Sequence, residues 1–159
     1  MRWWLLAAAI ILADPAAGAG ELTRPLVKSG DWAAIEHASV ETAAPTMCLA
    51  IDPAAGLALR ADAAGTELMV ANRHWDLPEA VHWTIKVTMG SGTRSFSVTS
   101  NTTNTVSAAI NPSIVPMLLD EMGRAPSMRV VVGETTPLKV SLAGSPVVLN
   151  AFRTCARIG

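Results

Sequence analysis

The chain has 159 residues, 50% of them hydrophobic, and sets 12 Lys and Arg against 13 Asp and Glu for a formal net charge of −1. The charges are scattered along the sequence, so no basic stripe nominates nucleic acid or anionic lipid and no acidic tail nominates a cationic partner. Tyr is absent and only 2 Phe are present, which argues against a platform of exposed aromatics for stacking sugars or bases.

The first segment has the order of an export signal. Arg2 supplies a positive charge, and an apolar run, WWLLAAAIILA, follows from Trp3 to Ala13. That run is short of the roughly 20 apolar residues a membrane-spanning helix needs. Asp14-Pro15 breaks it, and Ala17-Gly18-Ala19 fits the small-x-small pattern of a signal peptidase site. Cleavage is expected after Ala19, so that residues 1–19 are a Sec-type signal peptide and residues 20–159 form a single domain. There is no Arg-Arg pair for twin-arginine export and no Cys after the apolar run for lipid attachment. The expected location is periplasmic or secreted, with no transmembrane segment in the mature chain.

Beyond the signal the dominant period is two. Trp32 is assigned to the first mature strand, and short runs at 47–51, 57–61 and 67–71 follow, broken by Asp-Pro and Ala-Gly steps. The clearest strand is Val81, Trp83, Ile85, Val87 and Met89 alternating with His82, Thr84, Lys86 and Thr88. Gly90-Ser91-Gly92 then supplies a turn, and Phe96 and Val98 resume the alternation, so 81–99 reads as a hairpin. Residues 100–105 read as a polar loop, and further strands are expected at 105–110, 128–132 and 138–142. The period changes twice. Over 111–125, Asn111 or Ser113 is expected to cap a helix with Ile114, Met117, Leu118 and Met122 on its apolar face, stopped by Gly123. After Gly144, Ser145 is expected as N-cap and Pro146 as the first helical residue, with Val148, Leu149, Phe152 and Cys155 on the buried stripe.

Cys48 and Cys155 are the only two cysteines. In an oxidising compartment two thiols in one small domain pair, and the bond closes a loop of 107 positions. The chain-entropy contribution of a loop that long is about 4.7 kcal/mol. The spacing is not that of a C-x-x-C redox pair, so a structural disulfide is expected. The fold class is then mainly β: an antiparallel β-sandwich or partly closed barrel with two short helices, the second C-terminal and tied by the disulfide to an early strand.

The order Trp32, Cys48, Trp75-Asp76-Leu77-Pro78, the helix VPMLLDEM at 115–122, the strand at 128–132 and then Ser141-Leu142-Ala143-Gly144-Ser145 before Ala151-Phe152 resembles the exported bacterial invasion-associated locus B family. The shared pattern covers most of the mature chain, and its most specific part is the Ser-Leu-x-Gly turn leading into the C-terminal helix. The chain departs from the family at Ser145, where members tend to carry a bulky aromatic, and in lacking additional cysteines mid-chain. The resemblance implies a periplasmic or surface-associated β-sandwich linked to cell-envelope or host interaction, and it brings no catalytic residue.

Candidate chemistry gathers around Trp75. His74, Asp76, Glu79 and His82 could supply nitrogen and oxygen ligands, but no H-x-x-x-H or C-x-x-C pair fixes two of them on one element. No metal or other cofactor is expected. Neither a G-x-S-x-G elbow nor an S-x-x-K box is present. Arg73, His74, Trp75 and Asp76 combine a planar cation, an aromatic and a following Pro, residue types enriched where proteins bind partners; alternatively, Trp75 plugs the end of the sandwich. Two function classes follow. The first is a non-enzymatic exported protein that binds another protein or an envelope component. The second is a small periplasmic hydrolase or hydrolase inhibitor built on His74, Asp76 and Glu79, to be judged by whether those three converge.

Overall fold

A computed structural model describes residues 20–78 and 81–159. The expected signal peptide and Glu79 lie outside the described residues. Ten strands and two helices follow in the order β1 (Glu21–Ser29), β2 (Trp32–Ser39), β3 (Pro45–Asp52), β4 (Leu57–Asp62), β5 (Gly65–Ala71), β6 (His82–Met89), β7 (Gly92–Thr102), β8 (Thr105–Ile110), α1 (Val115–Arg124), β9 (Ser127–Val132), β10 (Leu138–Ser141) and α2 (Ser145–Ala156).

The strands pair antiparallel throughout, in the order β1-β2-β3-β4-β5-β8-β7-β6-β9-β10. The ladder folds over into facing layers without closing, giving an open β-sandwich with two helices. Contacts between its two ends demonstrate the curl. Trp32 on β2 donates its Nε1–H to the Ser141 carbonyl on β10 at 2.9 Å. Gly144, at φ +83°, lies so close to the Ser29 carbonyl that a Cβ there would collide with it. Only glycine combines that left-handed backbone with that approach.

Alternation builds the interior. Leu57, Leu59, Leu68, Val70, Ile85, Val87, Phe96, Val98, Val106, Val130 and Val132 point inward from the strands β4 to β9 and are buried, the period-two consequence of a sheet with one face on a core. Helix α2 packs against β1, β2 and β3 and also against α1, burying Val148, Leu149 and Phe152. Cys48, buried on β3, is joined to Cys155 of α2 with Cα atoms 6.0 Å apart and a sequence separation of 107. The last helix is therefore clipped covalently to an early strand, across the interior it helps to fill.

Several local expectations need correction. Trp32 opens the second strand, because β1 precedes it; β1 is exposed along most of its length and carries little apolar alternation. Residues 100–105 are two strand ends and a tight turn. Polar Ser100 is turned inward and buried, where its hydroxyl donates to the Pro78 carbonyl at 2.7 Å. Val81 lies outside β6 and is exposed. The N-cap of α1 is Ile114, since Asn111 instead closes the preceding turn, its Oδ1 accepting from the Ser113 amide at 3.0 Å. Leu119 takes the buried place expected for Met117, which is exposed, and the helix continues through Gly123 to Arg124. Gly144 caps α2; Ser145, fully buried, reaches the Met122 carbonyl on α1 at 3.4 Å.

Among the described residues, no helix is long and apolar enough to cross a membrane.

Candidate functional site

The segment from 72 to 78 follows β5 in the connection to β6 and is held to the β7–β8 turn by its backbone. The Asn72 amide donates to the Asn104 carbonyl at 2.9 Å and the Leu77 amide to the Thr103 carbonyl at 2.7 Å. Within the segment, the Asn72 side chain accepts from the His74 amide at 3.0 Å, and the Trp75 amide donates to the Asn72 carbonyl at 3.0 Å. These bonds determine what the loop presents. Leu77 is buried, and half-buried Trp75 packs on the core, so the aromatic closes the end of the sandwich. Arg73, His74 and Asp76 project outward and are exposed.

Arg73 and His74 stand on the wall of a cavity of about 770 Å³. Its other walls are the 53–56 turn between β3 and β4, the 104–105 end of the β7–β8 turn, and residues 138–139 of β10. The 53–56 turn is shaped from inside: Asp52 is buried and its Oδ1 accepts from the Ala54 and Ala55 amides, each at 3.1 Å. The cavity thus opens where the curled ladder brings β10 opposite the ends of β3 and β5. Volumes of this size accommodate small ligands or a segment of a larger one.

The mouth has one sign of charge. Its wall includes Arg73 and Lys139 and, among the described residues, no carboxylate. Elsewhere several carboxylates are engaged by cations. Glu36 pairs with Arg24, Asp62 and Glu67 with Arg60, Asp120 with Arg153 and Arg124, and Glu121 with Arg94. The Ala64 amide and then the Arg60 guanidinium hold the Asp62 carboxyl below its usual range. The Arg94 guanidinium likewise lowers Glu121 and is itself raised by that carboxylate. Among the described residues neither Arg73 nor Lys139 has such an ion-pair partner; Arg73 only donates its Nε–H to His74 Nε2 at 3.3 Å.

His74 and Asp76, two of the three residues a hydrolytic centre here would use, are both exposed, with no hydrogen bond or ion pair between them. Glu79 lies outside the described residues. Among the described residues no group of three His, Cys, Asp or Glu side chains gathers closely enough to hold a metal ion. What sequence reasoning missed is Lys139. It lies 66 positions from Arg73 by number, and only the return of β10 to the mouth brings the two to one cavity.

The chain matches no family model, no curated protein and no solved structure.

Proposed function

We propose that this is an exported, non-enzymatic binding protein, periplasmic or secreted, that engages another protein or an envelope component through the 72–78 loop and the cavity beside it. The observation that carries this reading is the placement of exposed Arg73, without a carboxylate partner among the described residues, on the wall of the cavity shared with Lys139. A cation with no carboxylate partner among the described residues, on a loop held by backbone hydrogen bonds beside a concavity, is arranged for a partner's charge, since binding residues concentrate on loops positioned by a stable scaffold. Export is supported by the charge, apolar run and small-residue order of residues 1–19 and by the disulfide, a bond that persists in oxidising compartments. The resemblance to the invasion-associated locus B family favours a role in cell-envelope or host interaction.

Capture of binding partners from envelope extract tests the reading, comparing the wild type with Arg73→Ala and His74→Ala. Both side chains are exposed, so the fold should be kept while the partner is lost. Full retention of the same partner by both variants would overturn it.

A further inference from the structure

The outward face of β6, β9 and β10 carries a second cationic feature, invisible in the linear sequence. Strand pairing sets Arg129 on β9 directly opposite Lys139 on β10, and opposite Thr88 on β6. Lys86 is two residues from Thr88 on the same face, because side chains of one face recur every second residue. It is therefore the diagonal neighbour of Arg129, at a backbone separation of about 7–8 Å. The three cations form a ladder across three adjacent strands. All three are exposed, and none forms an ion pair among the described residues.

The ladder has a cost that the fold does not relieve. The Leu142 amide donates to the Pro126 carbonyl at 3.0 Å, and alternation from that bonded pair makes Arg129 and Lys139 a non-hydrogen-bonded pair, the closer of the two antiparallel arrangements. Like charges directly opposite destabilise a sheet. No outward position of β6, β7, β9 or β10 holds a carboxylate; Glu134 lies beyond them in the β9–β10 turn.

The rest of the face defines the ligand. Thr84, Thr88, Thr93, Ser95, Ser97, Ser127 and Ser141 occupy most of its other outward positions on these strands, with His82 at the start of β6, and Arg129 and Lys139 border a hollow of about 510 Å³ with Thr88 and Ser127. Half-buried Val131 is the one apolar side chain among the outward positions of β6, β9 and β10. A membrane surface would call for apolar anchors beside the cations, and single-stranded nucleic acid for aromatic rings. A face made mostly of hydroxyls and cations suits a chain rich in both hydroxyls and anions.

We propose that the Lys86–Arg129–Lys139 ladder binds a polyanionic glycan, which passes over β10 toward the mouth that Lys139 also lines. This assigns a ligand class to the binding role above and rests on that role. The test uses the whole protein with heparin as the probe, neutral dextran as the uncharged glycan, phosphatidylglycerol vesicles and single-stranded DNA. Heparin binding should weaken steeply as salt rises, as expected when cations displace counterions from a polyanion. The triple variant K86Q/R129Q/K139Q should weaken it at least tenfold, and K28Q, which removes an exposed cation from β1, by less than twofold. The triple variant should melt no lower than wild type, since it relieves the Arg129–Lys139 repulsion. Unchanged heparin affinity in the triple variant, or an equal loss in K28Q, would overturn the proposal. So would vesicles or DNA bound as tightly as heparin. Failure here with envelope capture still dependent on Arg73 would remove the glycan and leave the binding role; loss of that dependence would remove the role itself.

Discussion

Trp32 and Ser141 are 109 positions apart, yet the indole N–H of one donates to the carbonyl of the other at 2.9 Å, joining the second strand to the last. Trp32 is fully buried while Ser141 is exposed, so the bond is part-buried. Trp32→Phe keeps an aromatic ring and removes the donor. The expected loss is about 0.5–1.5 kcal/mol, the net contribution of one hydrogen bond, read as a lower urea midpoint with an unchanged slope. An unchanged midpoint would mean that the curl does not depend on this bond.

The disulfide links the same end of the sheet to α2. Non-reducing peptide mapping of exported protein should recover a fragment joining Cys48 to Cys155. The double variant C48A/C155A should unfold with a stability lower by about 2–4 kcal/mol, the usual range for a bond closing a long loop. Free thiols at both positions in exported material would contradict the assigned compartment.

Two glycines should respond in opposite directions. Gly144 has φ +83° and lies against the Ser29 carbonyl, so Gly144→Ala should cost more than the roughly 1–2 kcal/mol of left-handed strain alone. Gly123 lies within α1, with nothing within 4 Å of a Cβ built on it. Gly123→Ala should therefore stabilise by about 0.5–1 kcal/mol. Thermal melts of the two variants provide the comparison.

The ion pair between Arg94 on β7 and Glu121 on α1 sets a pH dependence. Because Arg94 holds the Glu121 carboxyl below its usual range, the pair's contribution is fully present above the unfolded value. It is lost as pH falls through the folded one. The two side chains are 26% and 36% exposed, so solvent screening keeps the contribution to about 0.2–1 kcal/mol. Glu121→Gln should flatten the acid limb of the stability curve by that amount, measured by urea unfolding from neutral pH downward. Asp62, lowered chiefly by the Ala64 amide and then by Arg60, acts in the same direction and remains in the variant.

Legibility followed burial pattern. Strands with one face on the core, such as β4 with its strict inward leucines and β6 with Ile85, Val87 and Met89, announce themselves by alternation. Strand β1 does not, because it is an exposed edge whose structure comes from pairing with β2. The end of β7 was equally hidden: Ser100 is polar, and its inward placement depends on a long-range bond to Pro78. The 72–78 loop was legible from its composition, including the alternative in which Trp75 serves the core. The convergence of Lys86, Arg129 and Lys139 was not. Charges that look scattered along the chain become neighbours only through the strand order β6-β9-β10.

The central claim is that the 72–78 loop touches the partner, and site-specific photocrosslinking of the exported protein tests it most directly. A photoreactive residue at exposed His74 should give a discrete envelope adduct that Arg73→Ala abolishes, while one at exposed Val147 on α2 should give none. Adducts at 147 with none at 74 would contradict the account.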